Sequence, residues 1–164
     1  GLAVTVGPGT FTGLRIGLAA ARAMRIALRV PLMGMTSLEV LAAGAARRFP
    51  DRPVLAVLDA RRDQVYAQLF RRAAPPFGEA WTAPMAARAA DVAAMLLPGT
   101  VLIGNGASLV AAHATVETRM LGGAEPDARD LLALALARNL PTYPVPAPRP
   151  LYLRAPDAKL AKRK

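Results

Sequence analysis

Two short glycine-containing stretches have the residue types and spacing that could bind a phosphate group. In the first, Gly7, Gly9 and Thr10 follow an apolar run at 2–6 and precede a predicted helix. A strand, a glycine turn and a helix N-terminus together form a natural anion site. However, no lysine follows Gly13 as a P-loop requires, and the third glycine falls one residue too late for a dinucleotide fingerprint. Phosphate binding is therefore the less favoured interpretation.

The second stretch contains Gly104 and Gly106, which separate a predicted strand at 100–103 from a predicted helix at 107–114. Elsewhere the chain offers little for catalysis. Its 11 acidic residues show no spacing typical of a general acid and base. It has no Cys and a single His, so His113 cannot form an ordinary zinc or iron site and is expected to be structural. The sequence predicts no catalytic residues and no metal site.

Hydrophobic periodicity and turn residues predict an α/β protein. Threonine or serine at 10 or 12 and at 36 or 37 can cap helices, and Asp127 can cap the last one. Trp81 is expected to fill the core. A turn at 50–53 is the best domain boundary, which predicts domains at 1–52 and 53–148 and a C-terminal strand and basic tail at 149–164. The predicted strands are 2–6, 30–35, 54–59, 64–70, 100–103 and 151–154, and the predicted helices begin near 11, 38, 87, 107 and 128.

The net charge of +10 favours contact with nucleic acid or with an acidic partner. Two groups of cations are candidates for that contact. Arg61 and Arg62 lie at the turn of a predicted hairpin, and Arg154, Lys159 and Lys162 follow the proline-rich stretch 141–150, an expected extended linker. For the turn we favour an alternative, in which a neighbouring aspartate pairs with an arginine in solvent. For the tail, a role in solubility alone is weighed equally.

The helix that follows the first glycine stretch is apolar nearly all round. At about 100° per residue, one narrow stripe contains its arginines together with two apolar residues: Phe11, Arg15, Leu18, Arg22, Arg25 and Arg29. The remaining surface is apolar, which exceeds the stripe that an ordinary surface helix buries. Its own sheet can cover one side, and we expect a protein partner to cover the other. The alternative is a central helix buried in one domain. The predicted partner surface consists of Phe11, Gly13, Gly17, Ala20 and Met24.

Five stretches resemble one known family, in the same order along the chain. They are GPGTFTGLRIGLAAARAMRIAL, PLMGMTSLEVLA, VLAVLDARRDQVYAQLF, VLIGNGA and PLYLRAPDA. They are similar to the TsaB (YeaZ) family, whose usual first motif is GPGSFTGLRIG, so Thr10 stands in place of a serine. The resemblance implies an actin-like fold of the sugar kinase–Hsp70 superfamily, which is ribonuclease H-like. The first domain is expected to be truncated, because the family has a β-hairpin region before this point; the sequence would then be a fragment or a shortened chain.

The resemblance also implies a function. Family members act in making threonylcarbamoyladenosine beside the tRNA anticodon, as non-catalytic partners of the paralogue TsaD. ATP and a metal ion are then expected on TsaD, with no cofactor on this chain and both glycine loops degenerate. Further expected partners are a TsaE-like ATPase, tRNA through the complex, and a second copy when TsaD is absent, all in the cytoplasm and without a membrane. The alternatives are a fragment of a TsaD-like ATP-dependent carbamoyltransferase and a basic RNA-binding accessory module.

Overall fold

The computed structural model describes residues 1–71, 80–122, 124–138 and 141–154. It contains a two-stranded parallel sheet and a five-stranded mixed sheet of order β5-β4-β3-β6-β7. The strands are β1 Leu2–Gly7, β2 Leu32–Thr36, β3 Val54–Arg61, β4 Gln64–Phe70, β5 Met85–Arg88, β6 Thr100–Gly104 and β7 Thr118–Gly122. The helices are α1 Phe11–Leu28, α2 Ser37–Ala46, α3 Ala89–Ala93, α4 Ala107–Ala111 and α5 Ala128–Ala137.

The small sheet pairs β1 with β2 in parallel, and α1 connects the two strands. Leu14 and Leu18 are the buried residues of α1. A separate core cluster joins Met35 of β2, Val40 of α2 and Leu134 of α5. The small sheet therefore depends on α5, which lies more than ninety residues downstream.

Helix α2 packs against both sheets. Its apolar side chains pack against Val54, Ala56 and Leu58 of β3 in one cluster. The alternate β3 residues, Leu55 and Val57, pack with α3 and α4 in another, as expected because successive strand residues point to opposite faces. The large sheet is therefore covered by α2 on one face and by α3 and α4 on the other.

The structure confirms two predicted helix caps. Thr36 Oγ1 accepts a hydrogen bond from the Glu39 backbone N–H, and Glu39 accepts one from the Thr36 N–H, which makes a complete capping box. Asp127 accepts from the Arg129 N–H. Thr10 occupies the N-cap position of α1, but its side chain makes no capping hydrogen bond.

Three local predictions are wrong. The predicted helix from 87 begins instead as the edge strand β5, which pairs with β4, and only 89–93 are helical. Trp81 does not fill the core: it is 40% exposed, and the Arg71 guanidinium lies 4.8 Å from its ring centre. Residues 151–154 form no strand, although the Leu151 N–H donates to the Val6 carbonyl oxygen. Each difference depends on neighbours that are distant in sequence.

The predicted domain boundaries stay a prediction. In the described contacts, α5 packs against β1 and α2, and Leu151 bonds to β1. The chain therefore returns to the small sheet after completing the large one. No helix among the described residues is long and apolar enough to cross a membrane.

Candidate functional site

The outward face of α1 is uncharged, and apolar apart from Thr12. At about 100° per residue, an arc about 200° wide runs around the helix axis with Ile26 at one edge, Ile16 near its middle and Leu28 at the other edge. This arc contains no arginine. Its large side chains are well exposed, with Ile16 at 66%, Met24 at 55% and Leu28 at 63%. Within the described part of the chain, nothing covers this arc. An exposed apolar patch of this kind is typical of a protein-binding surface.

Four of the five predicted interface residues share this face. Gly13, Gly17, Ala20 and Met24 are all exposed and lie on the arc. Phe11 does not: it lies on the arginine side, where its ring centre is 5.7 Å from that of Tyr152. The predicted interface stays a prediction, and Phe11 lies apart from its other four residues.

Gly17 has no role in the internal packing of the described residues. A Cβ atom added there would meet nothing within 4 Å. Glycine inside a helix costs about 0.5–1 kcal/mol relative to alanine, so the fold of this chain gains nothing from it. At Gly13, by contrast, a Cβ would lie 2.7 Å from Thr10 Oγ1.

Two arginines of the stripe, Arg22 and Arg25, are half-buried against the end of the chain, whereas Arg15 and Arg29 are exposed; the sequence did not predict this difference. Arg22 donates a hydrogen bond to the Pro148 carbonyl oxygen at 2.5 Å, and Arg25 donates to that of Val145. Residues 141–152, here called the C-terminal segment, therefore lie along α1 rather than forming a free linker. Two features of the sequence together could have indicated this contact. One is the stripe of arginines on a single side of α1, and the other is the proline-rich stretch, whose carbonyl groups need hydrogen-bond donors from elsewhere.

A cleft of about 510 Å³ opens beside the N-terminus of α1. Asn105 is held at this cleft by two hydrogen bonds. Its Oδ1 accepts from the Asp59 N–H at 2.8 Å, and its Nδ2 donates to Glu125 Oε1 at 3.1 Å. The lining residues are Pro8, Gly9, Thr10, Ser37, Leu58, Asp59, Ala60, Arg61, Tyr66, Asn105, Glu125 and Pro126.

Three of the glycines in the two glycine loops are explained by close backbone packing. Gly7 has φ +110°, and a Cβ there would lie 2.8 Å from the Leu151 carbonyl oxygen. Gly104 has φ +111°, and its Cβ would lie 2.1 Å from the Val57 oxygen. A Cβ at Gly106 would lie 2.9 Å from the Leu58 carbonyl carbon, whereas Gly9 has room for one. Close approach of the protein's own backbone is therefore enough to account for these glycines.

The hairpin turn between β3 and β4 has an unusual backbone. Arg61, Arg62 and Asp63 all have positive φ, at 64°, 55° and 57°. The Asp59 carboxylate accepts from the Arg61 N–H at 2.7 Å and lies 3.6 Å from its guanidinium. The favoured interpretation of this turn, an aspartate paired with an arginine, is confirmed for Arg61.

Of the predicted tail contacts, Arg154 lies within the described residues and donates to the Ala60 carbonyl oxygen at 3.4 Å. This contact brings Arg154 close to the hairpin turn. Lys159 and Lys162 lie outside the described residues. Among the described residues, no three His, Cys, Asp or Glu side chains are grouped as a metal site requires.

Comparison with known proteins gives a family match and several similar proteins. A family model described as TsaD, tRNA N6-adenosine threonylcarbamoyltransferase, matches residues 1–162. The tRNA threonylcarbamoyladenosine biosynthesis protein TsaB of Escherichia coli is 39% identical over 71 residues, which is 43% of this chain and 31% of that protein. An uncharacterized protein of Mycobacterium tuberculosis is 38% identical over 156 residues, 95% of this chain and 64% of that protein.

A solved structure, YeaZ from Pseudomonas aeruginosa, matches with a TM-score of 0.69 at 26% identity, covering 81% of this chain and 63% of that one. The matched segment thus spans about a third of the curated TsaB protein and under two thirds of YeaZ. These matches confirm the predicted actin-like α/β fold. The chain therefore belongs to the TsaB (YeaZ) family, among the actin-like proteins that the TsaD model describes.

Proposed function

We propose that this chain is a non-catalytic subunit that binds and activates a TsaD-type enzyme in making N6-threonylcarbamoyladenosine next to the tRNA anticodon. The names of its relatives support the pathway. The observation that carries the proposed role is the outward face of α1, which is apolar over about 200° and exposed.

The composition of that face favours another helix as the element that covers it. Gly13, Gly17 and Ala20 present little or no side chain, so a partner backbone can approach closely. Ile16 and Met24 project beside them and supply the apolar area that drives association. Because Gly17 adds no packing or stability to the isolated chain, its small size fits a role in a complex.

The two glycine loops support the non-catalytic part of the proposal. Gly104 and Gly106 are needed where the chain passes close to β3, and Asn105 is engaged by Asp59 and Glu125. In this proposal ATP and the metal ion are held by the TsaD-like partner. A TsaE-like ATPase and tRNA join the complex in the cytoplasm, and a second copy covers α1 when the partner is absent.

The test compares two substitutions at one position. Gly17→Glu places a charged side chain on the outward face, and Gly17→Ala adds a single methyl group. Both variants should fold, since a Cβ at this position meets nothing within 4 Å. In size-exclusion chromatography with the purified TsaD-type partner, Gly17→Ala should co-elute and Gly17→Glu should not. Co-elution of a folded Gly17→Glu variant would refute α1 as the interface.

Activation needs its own measurement. Threonylcarbamoyladenosine formed on tRNA should depend on adding this chain to the partner enzyme, and it should fall in parallel with complex formation in the Gly17→Glu variant. Product formed equally well without the chain would contradict the activating role.

A further inference from the structure

One side of α1 combines exposed aromatic rings with arginines that form no ion pair among the described residues. We call this surface the basic seam, because it follows the line where the C-terminal segment meets α1. Its members are Phe11, Arg15, Arg22, Arg25, Arg29, Tyr143, Arg149 and Tyr152.

The positive charge of the seam is not neutralised by the described residues. Residues 1–38 and 141–154 contain no Asp or Glu. The seam arginines make no ion pair within the described part of the chain, and Arg22 and Arg25 bond instead to uncharged carbonyl groups. Away from the seam, arginines such as Arg47, Arg88 and Arg138 do pair with carboxylates. The seam is therefore a local concentration of positive charge.

Aromatic rings lie between these charges and remain open to solvent. Phe11 is 48% exposed, Tyr152 46% and Tyr143 37%. The Arg15 guanidinium lies 3.8 Å from the centre of the Phe11 ring, and that of Arg25 lies 5.2 Å from the centre of Tyr143. These two cation–π contacts place flat, charged surfaces near both ends of α1.

We propose that the basic seam binds single-stranded RNA. Arginines attract the phosphates, and exposed rings and guanidinium planes provide faces on which unpaired bases stack. An acidic protein would also satisfy the charge, but it would not account for the open rings beside each end of the arginine line. The inference rests on the proposed function, in that a loop of the tRNA is the RNA concerned. It adds a contact surface next to the partner face, on the same helix.

The test measures binding of a fluorescently labelled anticodon stem–loop to this chain alone, by anisotropy at several salt concentrations. The variant Arg15→Gln/Arg149→Gln removes two exposed cations of the seam. Since each phosphate contact with a single strand contributes about −0.7 to the slope of log affinity against log salt, the double variant should reduce that slope by about 1.4. A matched control is Arg129→Gln, an exposed arginine on α5, which packs against α2 and β1; it should keep the parental affinity.

Stacking is tested separately. The variant Phe11→Leu/Tyr152→Leu keeps apolar side chains but removes two ring faces. It should bind the stem–loop at least about fivefold more weakly, as expected for loss of base stacking, with an unchanged salt slope. Thermal unfolding of each variant checks that the fold is retained.

The outcomes separate this inference from the proposed function. The seam proposal would be overturned if the seam variants bound the stem–loop as tightly as the parent. It would also be overturned if the control variant lost as much affinity as they did. Loss of TsaD-type partner binding with unchanged RNA binding would also overturn it and assign the surface to a protein. The Gly17→Glu variant should lose the partner and keep the RNA; if it keeps the partner, the proposed function fails while the seam stands.

Discussion

Arg22 on α1 donates a hydrogen bond of 2.5 Å to the carbonyl oxygen of Pro148, a residue 126 positions further along the chain. Together with Arg25 and the Leu151 N–H, this contact attaches the C-terminal segment to the small sheet and its helix. It also helps to orient α1, since Arg22 and Arg25 bond to the segment while the uncharged arc faces outward.

The first prediction tests this attachment. Arg22→Met keeps an apolar stem but removes the donor, so the free energy of unfolding should fall by about 2 kcal/mol, the usual scale for a hydrogen bond to a charged group. Urea unfolding measures the change. Arg149→Met, at an exposed position of the same segment, should leave stability unchanged within about 0.5 kcal/mol. An equal effect of the two substitutions would contradict the role of Arg22.

The second prediction concerns the ion pair between α2 and α5. Burial tends to raise the pKa of Glu39, but its hydrogen bonds to Arg138 and Thr36 hold the pKa below the ordinary value. A lowered carboxyl pKa stabilises the fold above the pKa of the unfolded state, and this contribution is lost as the pH falls through the folded pKa. Glu39→Gln, which keeps the capping box, should lose about 1 kcal/mol at pH 7, after allowing for solvent screening. The difference from the parent should vanish in acid, as urea unfolding across pH would measure.

Asp130 at the other end of the same helix pair should respond with the opposite sign. Its carboxylate is 7% exposed and lies 2.8 Å from Arg47, yet burial raises its pKa more than Arg47 lowers it. A raised carboxyl pKa stabilises the fold at low pH, and the contribution is lost as the pH rises through the folded pKa. Asp130→Asn should therefore be as stable as the parent or more stable at pH 7. Marked destabilisation at pH 7 would show that the Arg47 pair outweighs the cost of burial.

The third prediction contrasts two glycines. Gly17→Ala should raise the free energy of unfolding by about 0.5–1 kcal/mol, because the methyl group meets no neighbour and helix propensity improves. Gly104→Ala should prevent folding or cost several kcal/mol, because its Cβ would lie 2.1 Å from the Val57 oxygen at a φ of +111°. Circular dichroism during urea titration distinguishes the two. A destabilised Gly17→Ala variant would mean that α1 packs differently.

The fourth prediction is that the chain alone does not bind ATP tightly. Asn105 is hydrogen-bonded to Asp59 and Glu125, and the space beside Gly104 and Gly106 is occupied by the protein's own backbone. Calorimetry with ATP and magnesium should show nothing tighter than about millimolar, near −4 kcal/mol. Micromolar binding in the cleft beside Gly9 and Thr10 would contradict the non-catalytic role and favour a TsaD-like enzyme.

Local sequence signals predicted several parts of this protein correctly. The strand, glycine turn and helix at the start, the caps at Thr36 and Asp127, and the β3–β4 hairpin each depend on residues within a few positions of one another. The apolar, uncharged arc of α1 was also predictable, because helical periodicity alone determines which residues share a face.

The tertiary structure decided which way that arc points. Periodicity gives the angles between residues on α1 but not the rotation of the helix against its surroundings. That rotation is set by Leu14 and Leu18 on the sheet and by carbonyl groups at 145 and 148 that accept from the arginine side. In the same way, the short edge strand β5 is stabilised by pairing with β4, and Gly104 is required by the backbone of β3. These features escaped prediction because each depends on hydrogen bonds or close packing between segments far apart in sequence, which no local pattern of residues encodes.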